Sequence, residues 1–266
     1  MSFKLTILGC GSSGGVPRIG GDWGKCDPAN PKNRRLRCSA LVEHSNAAGT
    51  TRLLIDTSPD MREQMLATKV PTLDAVWYTH EHADHTHGID ELRVFFLMQK
   101  KRIPVYADHA TSTMLRHRFE YCFTNSQDYP ATAELSLMVA GQPLKATGAG
   151  PDIIGLPFEV SHGNINALGF RFGNLAYLPD VNGLPEAAKV AISGLDVLII
   201  DALRYNKHPS HFSLAETLAV IAEVKPRRAI ITNMHIDLDF DTLRRELPDG
   251  VEPAYDGMTV EMKTIV

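Results

Sequence analysis

One short segment concentrates side chains that bind metals: His80-Glu81-His82-Ala83-Asp84-His85. It follows an apolar run at 73–78 and therefore lies on the loop leaving the C-terminal end of an expected strand. His80 and His82, two apart on extended chain, project to the same side and can grip one cation. Asp84 and His85 come after the bend and can serve a second. The competing account is a polar loop of surface histidines, or caps for the helix expected from Ile89. Four such residues packed together argue against it. A metal centre also needs donors from elsewhere in the chain. His162, Asp180 and His235 each stand just past an apolar run, repeating the strand-then-ligand arrangement.

The elements that must position these groups are short. Strand-like runs fall at 3–8, 38–44, 52–55, 73–78, 153–160, 168–172, 197–200 and 229–232. Helices are predicted at 61–69, 89–100 and 213–224, with further candidates at 111–121, 185–192 and 240–246. Ser58 is expected to cap the first, and Ser213 the third. Strands followed by helices argue for a layered α/β architecture. The segment 9–37 holds seven glycines and three prolines and reads as a long loop, of a length that is usually functional or disordered, and 125–150 is a second irregular region. No linker composition divides the chain, so residues 1–266 are expected to form a single domain.

The 266 residues are 44% apolar and 22% charged, the proportions of a globular protein, which excludes disordered and fibrous classes. No apolar run approaches the ~20 residues that cross a bilayer, and the start alternates like a strand and lacks a secretory core. A cytoplasmic protein without membrane contact is expected. The net charge of −4 provides no general attraction to phosphate backbones, which disfavours nucleic acid and favours a small substrate. Four scattered cysteines suit free thiols in a reducing compartment.

The set His80, His82, Asp84, His85, His162, Asp180 and His235 resembles the metallo-β-lactamase superfamily signature. The resemblance implies a four-layer αββα sandwich with two metals at one edge of its sheets. His80, His82 and His162 would hold the first metal, and Asp84, His85 and His235 the second. Asp180 would bridge the two. Within the superfamily, lactam-hydrolysing members commonly carry a cysteine where this chain has Asp180, and oxygen-reducing di-iron members an acid where it has His82. Neither departure appears in the phosphodiesterase branch, so the resemblance points to phosphoesters. The glycine-rich 9–17, the stretch 83–93 and His208-Pro209-Ser210-His211-Phe212-Ser213 are similar to the PhnP-type branch, related to the tRNA 3′-end nuclease RNase Z.

That similarity implies hydrolysis of small cyclic ribose phosphates or nucleotide-type phosphodiesters through a hydroxide held between the metals. It gives Asp84 and His211 catalytic parts, His211 as the acid for the departing alkoxide. Asp56 is expected to orient a ligand histidine from behind. Donors without thiolate suit zinc, manganese or iron, and zinc or manganese is the expectation. The branch's structural zinc needs a cysteine cluster in the first loop, whereas here only Cys26 precedes Cys38 and Leu238 stands three residues after His235. No structural zinc is therefore predicted. Alternatives that keep the site are a thioester or lactone hydrolase, an RNA 3′-processing nuclease and a non-catalytic metal-binding module. By analogy with relatives the chain would be a homodimer.

Overall fold

A computed structural model describes residues 2–127 and 129–262. The strands, in chain order, are β1 (Ser2–Gly9), β2 (Ser39–Asn46), β3 (Gly49–Ile55), β4 (Ala75–Trp77), β5 (Ile103–Ala107) and β6 (Ala133–Leu137). They continue as β7 (Leu144–Ala146), β8 (Ile153–His162), β9 (Ile165–Phe172), β10 (Leu175–Leu178), β11 (Val197–Asp201), β12 (Arg228–Thr232), β13 (Val251–Pro253) and β14 (Thr259–Met262). Among the described residues they form two seven-stranded sheets, ordered β14-β1-β2-β3-β4-β5-β6 and β13-β12-β11-β10-β9-β8-β7. Both are mixed. β3, β4, β5 and β6 run parallel, as do β10, β11, β12 and β13, and antiparallel hairpins complete each sheet.

Alternation along the strands explains the layering. In β2, Ala40 and Val42 face the second sheet, while Leu41 faces the helices. In β3, Leu53 and Ile55 face inward and Leu54 outward. The inter-sheet core is sealed by Trp77 stacked on Phe172, with ring centroids 5.8 Å apart. Met61 and Met65 of the helix Met61–Thr68, and Leu92 and Phe95 of the helix Leu92–Gln99, cover the outer face of the first sheet. The result is the expected αββα sandwich. Among the described residues no helix is long and apolar enough to cross a membrane.

Two local expectations need correction. Ser58 does not cap the helix it precedes: its hydroxyl donates to Gln64 Oε1, and Asp60 occupies the cap position with its carboxylate turned to Arg37 and not to the helix. The segment 125–150 is not wholly irregular, because β6 and β7 lie within it. By contrast Ser213 forms a full capping box with Glu216 at the head of the helix Leu214–Val224.

Parallel pairing brings the C-terminal ends of several strands to one edge. Asp56 follows β3, and the 80–85 loop follows β4. His162 ends β8, Asp180 lies two residues beyond β10, Asp201 ends β11 and His235 lies three beyond β12. Ile55 pairs with Trp77 and Leu178 with Ile200, so that these loops meet.

Candidate active site

Three imidazole nitrogens converge at this edge. Nδ1 of His82 lies 3.0 Å from Nε2 of His80 and 3.1 Å from Nε2 of His162. Two of the three have their tautomers fixed from behind. The Thr79 hydroxyl donates to Asp56, so it accepts from Nδ1 of His80 at 2.9 Å, and Nδ1 of His162 donates to the Ser210 carbonyl at 2.6 Å. Each Nε2 then presents a lone pair inward. Burial, the largest influence on both rings, pushes His80 well below the ordinary imidazole value and lowers His162, which keeps them neutral as metal ligation requires. Gly163, at φ 62°, makes the turn beyond His162, and a side chain there would press on Ser210.

The second cluster is built around Asp180, which is 3% exposed. One carboxylate oxygen, Oδ1, lies 3.1 Å from Nε2 of His85. The other, Oδ2, lies 3.6 Å from His162 Nε2 and 4.0 Å from His80 Nε2. Asp180 thus faces both groups at once. Asp84 approaches His85 Nε2 at 3.5 Å. Asp56 sits in the left-handed region at φ 63°, accepts from the Thr79 amide and hydroxyl, and accepts from His85 Nδ1 at 2.7 Å. His85 Nε2 and Asp180 Oδ1 are buried and neither makes a hydrogen bond. Unpaired buried polar atoms beside converging lone pairs are costly unless a cation lies among them. The donors therefore fit divalent metal, in the groups His80–His82–His162 and His80–His85–Asp180.

His211 joins the same assembly, 3.8 Å from Asp180 and in reach of His162. Its Nδ1 bonds Oδ2 of Asp201 at 2.7 Å, which leaves Nε2 uncommitted. Burial opposes the charged ring, but the Asp201 carboxylate outweighs it and pushes His211 up to about 9. His235 stands apart from these donor groups: its Nε2 meets the Arg18 guanidinium, and its Nδ1 lies 3.2 Å from Asp237. Sequence reasoning missed Asp201, although it ends an apolar run in the same way as the expected ligands. It also missed Thr79 and Arg18, which carried no comparable signal.

The loop 9–37 is fastened by Arg35, which is 1% exposed. Its guanidinium donates to the Leu238 carbonyl at 2.7 Å, the His235 carbonyl at 3.4 Å and Asn33 Oδ1 at 3.2 Å. Asn33 bonds Asp239, and the Cys26 thiol points to the carbonyls of Ile236 and Leu238. Gly24, at φ 55°, packs against Ile236 where a side chain would collide. Replacing Arg35 by Ala removes the guanidinium from those carbonyls, leaving the His235 carbonyl only the Leu238 amide and the Leu238 carbonyl only the Cys26 thiol. The expected loss is about 2–4 kcal/mol of stability, read by urea unfolding of the metal-free protein, and a loss under 1 kcal/mol would deny Arg35 this role.

The family described as β-lactamase superfamily domains matches residues 51–236. The chain belongs to the metallo-β-lactamase superfamily. A crystal structure described as a new diphosphatase from the PhnP family is 35% identical, covers 98% of both chains and superposes with a TM-score of 0.87, which places the chain in the PhnP branch. Zinc-bound PqqB from Methylobacterium extorquens is 18% identical over 97% of this chain and 100% of its own, with a TM-score of 0.74, a likeness of fold. An octanoyltransferase of Porphyromonas gingivalis is 32% identical over 96% of this chain, and the chain spans 51% of that relative's length. This metallo-β-lactamase-fold protein is a metal-dependent hydrolase, and its His/Asp cluster could hold divalent metal.

Proposed function

We propose that the chain hydrolyses small phosphodiesters, of the cyclic ribose phosphate or nucleotide type, with two divalent cations, zinc or manganese. The observation that carries this reading is Asp180: a buried carboxylate whose two oxygens face separate sets of imidazoles, with no thiolate among the donors. Such a donor set suits phosphoryl transfer. The likeness to a PhnP-family diphosphatase over the full chain supports it.

His80, His82 and His162 would hold the first cation and Asp84 and His85 the second, with Asp180 shared between them. His235 would complete the second set once Arg18 releases its Nε2. When bound, the cations neutralise phosphoryl oxygens and bring the pKa of water to about 7. Asp56 and Thr79 hold the rings of His85 and His80 in place, so that neither must reorganise when substrate arrives. His211, steadied by Asp201, donates the proton that a departing alkoxide needs. The four cysteines, all buried and unpaired, support a reducing, cytoplasmic setting.

One observation favours a second reading, thioester hydrolysis: the identity to an octanoyltransferase. The deciding experiment is a substrate panel on metal-reconstituted protein, with cyclic ribose phosphates, cyclic nucleotides, dinucleotides and an octanoyl thioester. Turnover of phosphodiesters at a kcat/KM of at least ~10⁴ M⁻¹s⁻¹, the lower end for natural substrates, is expected. Turnover of the thioester alone overturns the proposal.

A further inference from the structure

The proposed proton donor, His211, is carried on an excursion of the chain between β11 and the helix Leu214–Val224. Its base is closed by the Leu203 amide, which donates to the Phe212 carbonyl at 3.0 Å. From Tyr205 to Lys207 the chain is exposed, and the Lys207 side chain is 85% exposed. Arg204 steadies that arm from its own side, donating to the carbonyls of Asn206 at 3.2 Å and Lys207 at 2.8 Å. None of these bonds reaches the strands that carry the metal donors. A general acid works only where its ring stands within hydrogen-bond reach of the departing oxygen, so the arm 208–211 must be fixed against those strands.

Asn182 supplies that fixture. It lies two residues beyond Asp180 and uses both ends of its amide: Nδ2 donates to the Pro209 carbonyl at 2.7 Å, and Oδ1 accepts from the Gly163 amide at 3.0 Å. The partners dictate this orientation, since a carbonyl needs a donor and an N–H an acceptor. One side chain thus joins the turn after His162, the segment after β10 and the loop that bears His211. The neighbouring carbonyl of that loop, Ser210, accepts from His162, and the Phe212 amide donates to the Val181 carbonyl at 2.8 Å. The two segments pack closely, because a Cβ on Gly163 would meet Ser210 Cβ at 2.8 Å. Among the described residues, His162 and Asn182 are the only side chains outside 208–211 that bond its backbone, and His162 also faces the metal donors. Asn182 has no such second part.

We propose that Asn182 is a positioning residue for the proton donor: by stapling Pro209 to Gly163 it sets the His211 ring against the metal edge, and it acts on the leaving group through His211 alone. This rests on the phosphodiester reading above, with His211 as its acid. Two variants are compared with the zinc-loaded wild type. Asn182→Ala removes both bonds, whereas Asn182→Asp keeps the acceptor for Gly163 and turns a carboxylate toward the Pro209 carbonyl, so that only the tether to the loop is lost. Each is assayed on a cyclic ribose phosphate, which has an alkoxide leaving group, and on bis(4-nitrophenyl) phosphate, with zinc content measured. Asn182→Ala is also combined with His211→Ala. Tryptic cleavage after Lys207 reports on the loop without any turnover.

Both variants are expected to keep their zinc and to lose about 10- to 100-fold in kcat on the cyclic ribose phosphate, the cost of misplacing a reacting group by about 1 Å, while staying within about threefold on the aryl diester. In the His211→Ala background, Asn182→Ala should add less than about a twofold loss, because the residue it acts through is already gone. Cleavage after Lys207 should quicken by about threefold or more in both variants, as the loop opens more often. Equal losses on the two diesters, a full further loss in the double variant, or unchanged cleavage would overturn the role. Should Asn182→Ala fail to fold, Asn182→Asp decides by the same measures. A wild-type chain that turns over no phosphodiester, with a loop that still loosens in the variants, would sink the proposed function and leave the staple standing. Diester turnover with a loop indifferent to Asn182 would do the reverse.

Discussion

Asp180→Asn is expected to lower phosphodiester turnover by about 10³-fold or more and to leave the purified protein short of one or both cations. The carboxylate stands where its oxygens can serve two sets of donors, 3.1 Å from His85 on one side and 3.6 Å from His162 on the other. Burial alone would raise its pKa, yet the imidazoles of His85 and His211 outweigh that and hold it well below the usual carboxylate range. Asparagine keeps the shape and removes the charge. Its NH₂ also turns a donor toward rings that must present lone pairs, so one side of the pair loses a ligand outright. A cation pair contributes several kcal/mol of transition-state charge stabilisation, and each 1.36 kcal/mol is a factor of ten in rate. Metal content after dialysis and kcat on a cyclic ribose phosphate are the two readouts. A variant that retains two cations per chain and stays within tenfold of wild-type turnover would remove Asp180 from the centre of the scheme.

Much of this edge was legible because each donor follows a strand rich in β-branched or aromatic residues, and parallel strands must deliver their C-terminal ends to one side. β8, β11 and β12 fall within one or two residues of expectation at most of their ends for that reason. β6 and β7 were not legible. Each is short and lies at a sheet edge, and β6 has exposed Glu134, Ser136 and Leu137, so it lacks the apolar run of a central strand. Arg35 was hidden for a different reason. It sits in the basic stretch Arg34-Arg35-Leu36-Arg37, which reads as a solvated surface, and its burial depends on carbonyls 200 and 203 residues away. Loop 9–37 could be recognised as important from its glycines, but what fastens it depends on contacts that local pattern does not encode. The pairing of His235 with Arg18 is of the same kind, a contact across 217 residues.

His211→Ala separates the proton donor from the ligands, and its effect should depend on what leaves. On a diester with an alkoxide leaving group the expected loss in kcat is ~10²–10⁴-fold, the range for a positioned general acid. On bis(4-nitrophenyl) phosphate, whose leaving group departs without a proton, the loss should stay under about tenfold. The geometry behind this is the bond of Nδ1 to Asp201 at 2.7 Å, which commits that nitrogen and leaves Nε2 uncommitted on a ring that is 14% exposed. Asp201→Asn tests the same arrangement one step back. It keeps the imidazole but loosens its orientation, and the expected loss is about 10–100-fold on the alkoxide diester. His211 also lies close enough to Asp180 and His162 to ligate, so metal content decides between the two parts. Equal losses on both diesters together with a missing cation would make His211 a ligand and leave the leaving group to find its proton elsewhere. A full complement of metal with a loss confined to the alkoxide substrate is the outcome that the Asp201–His211 pair requires.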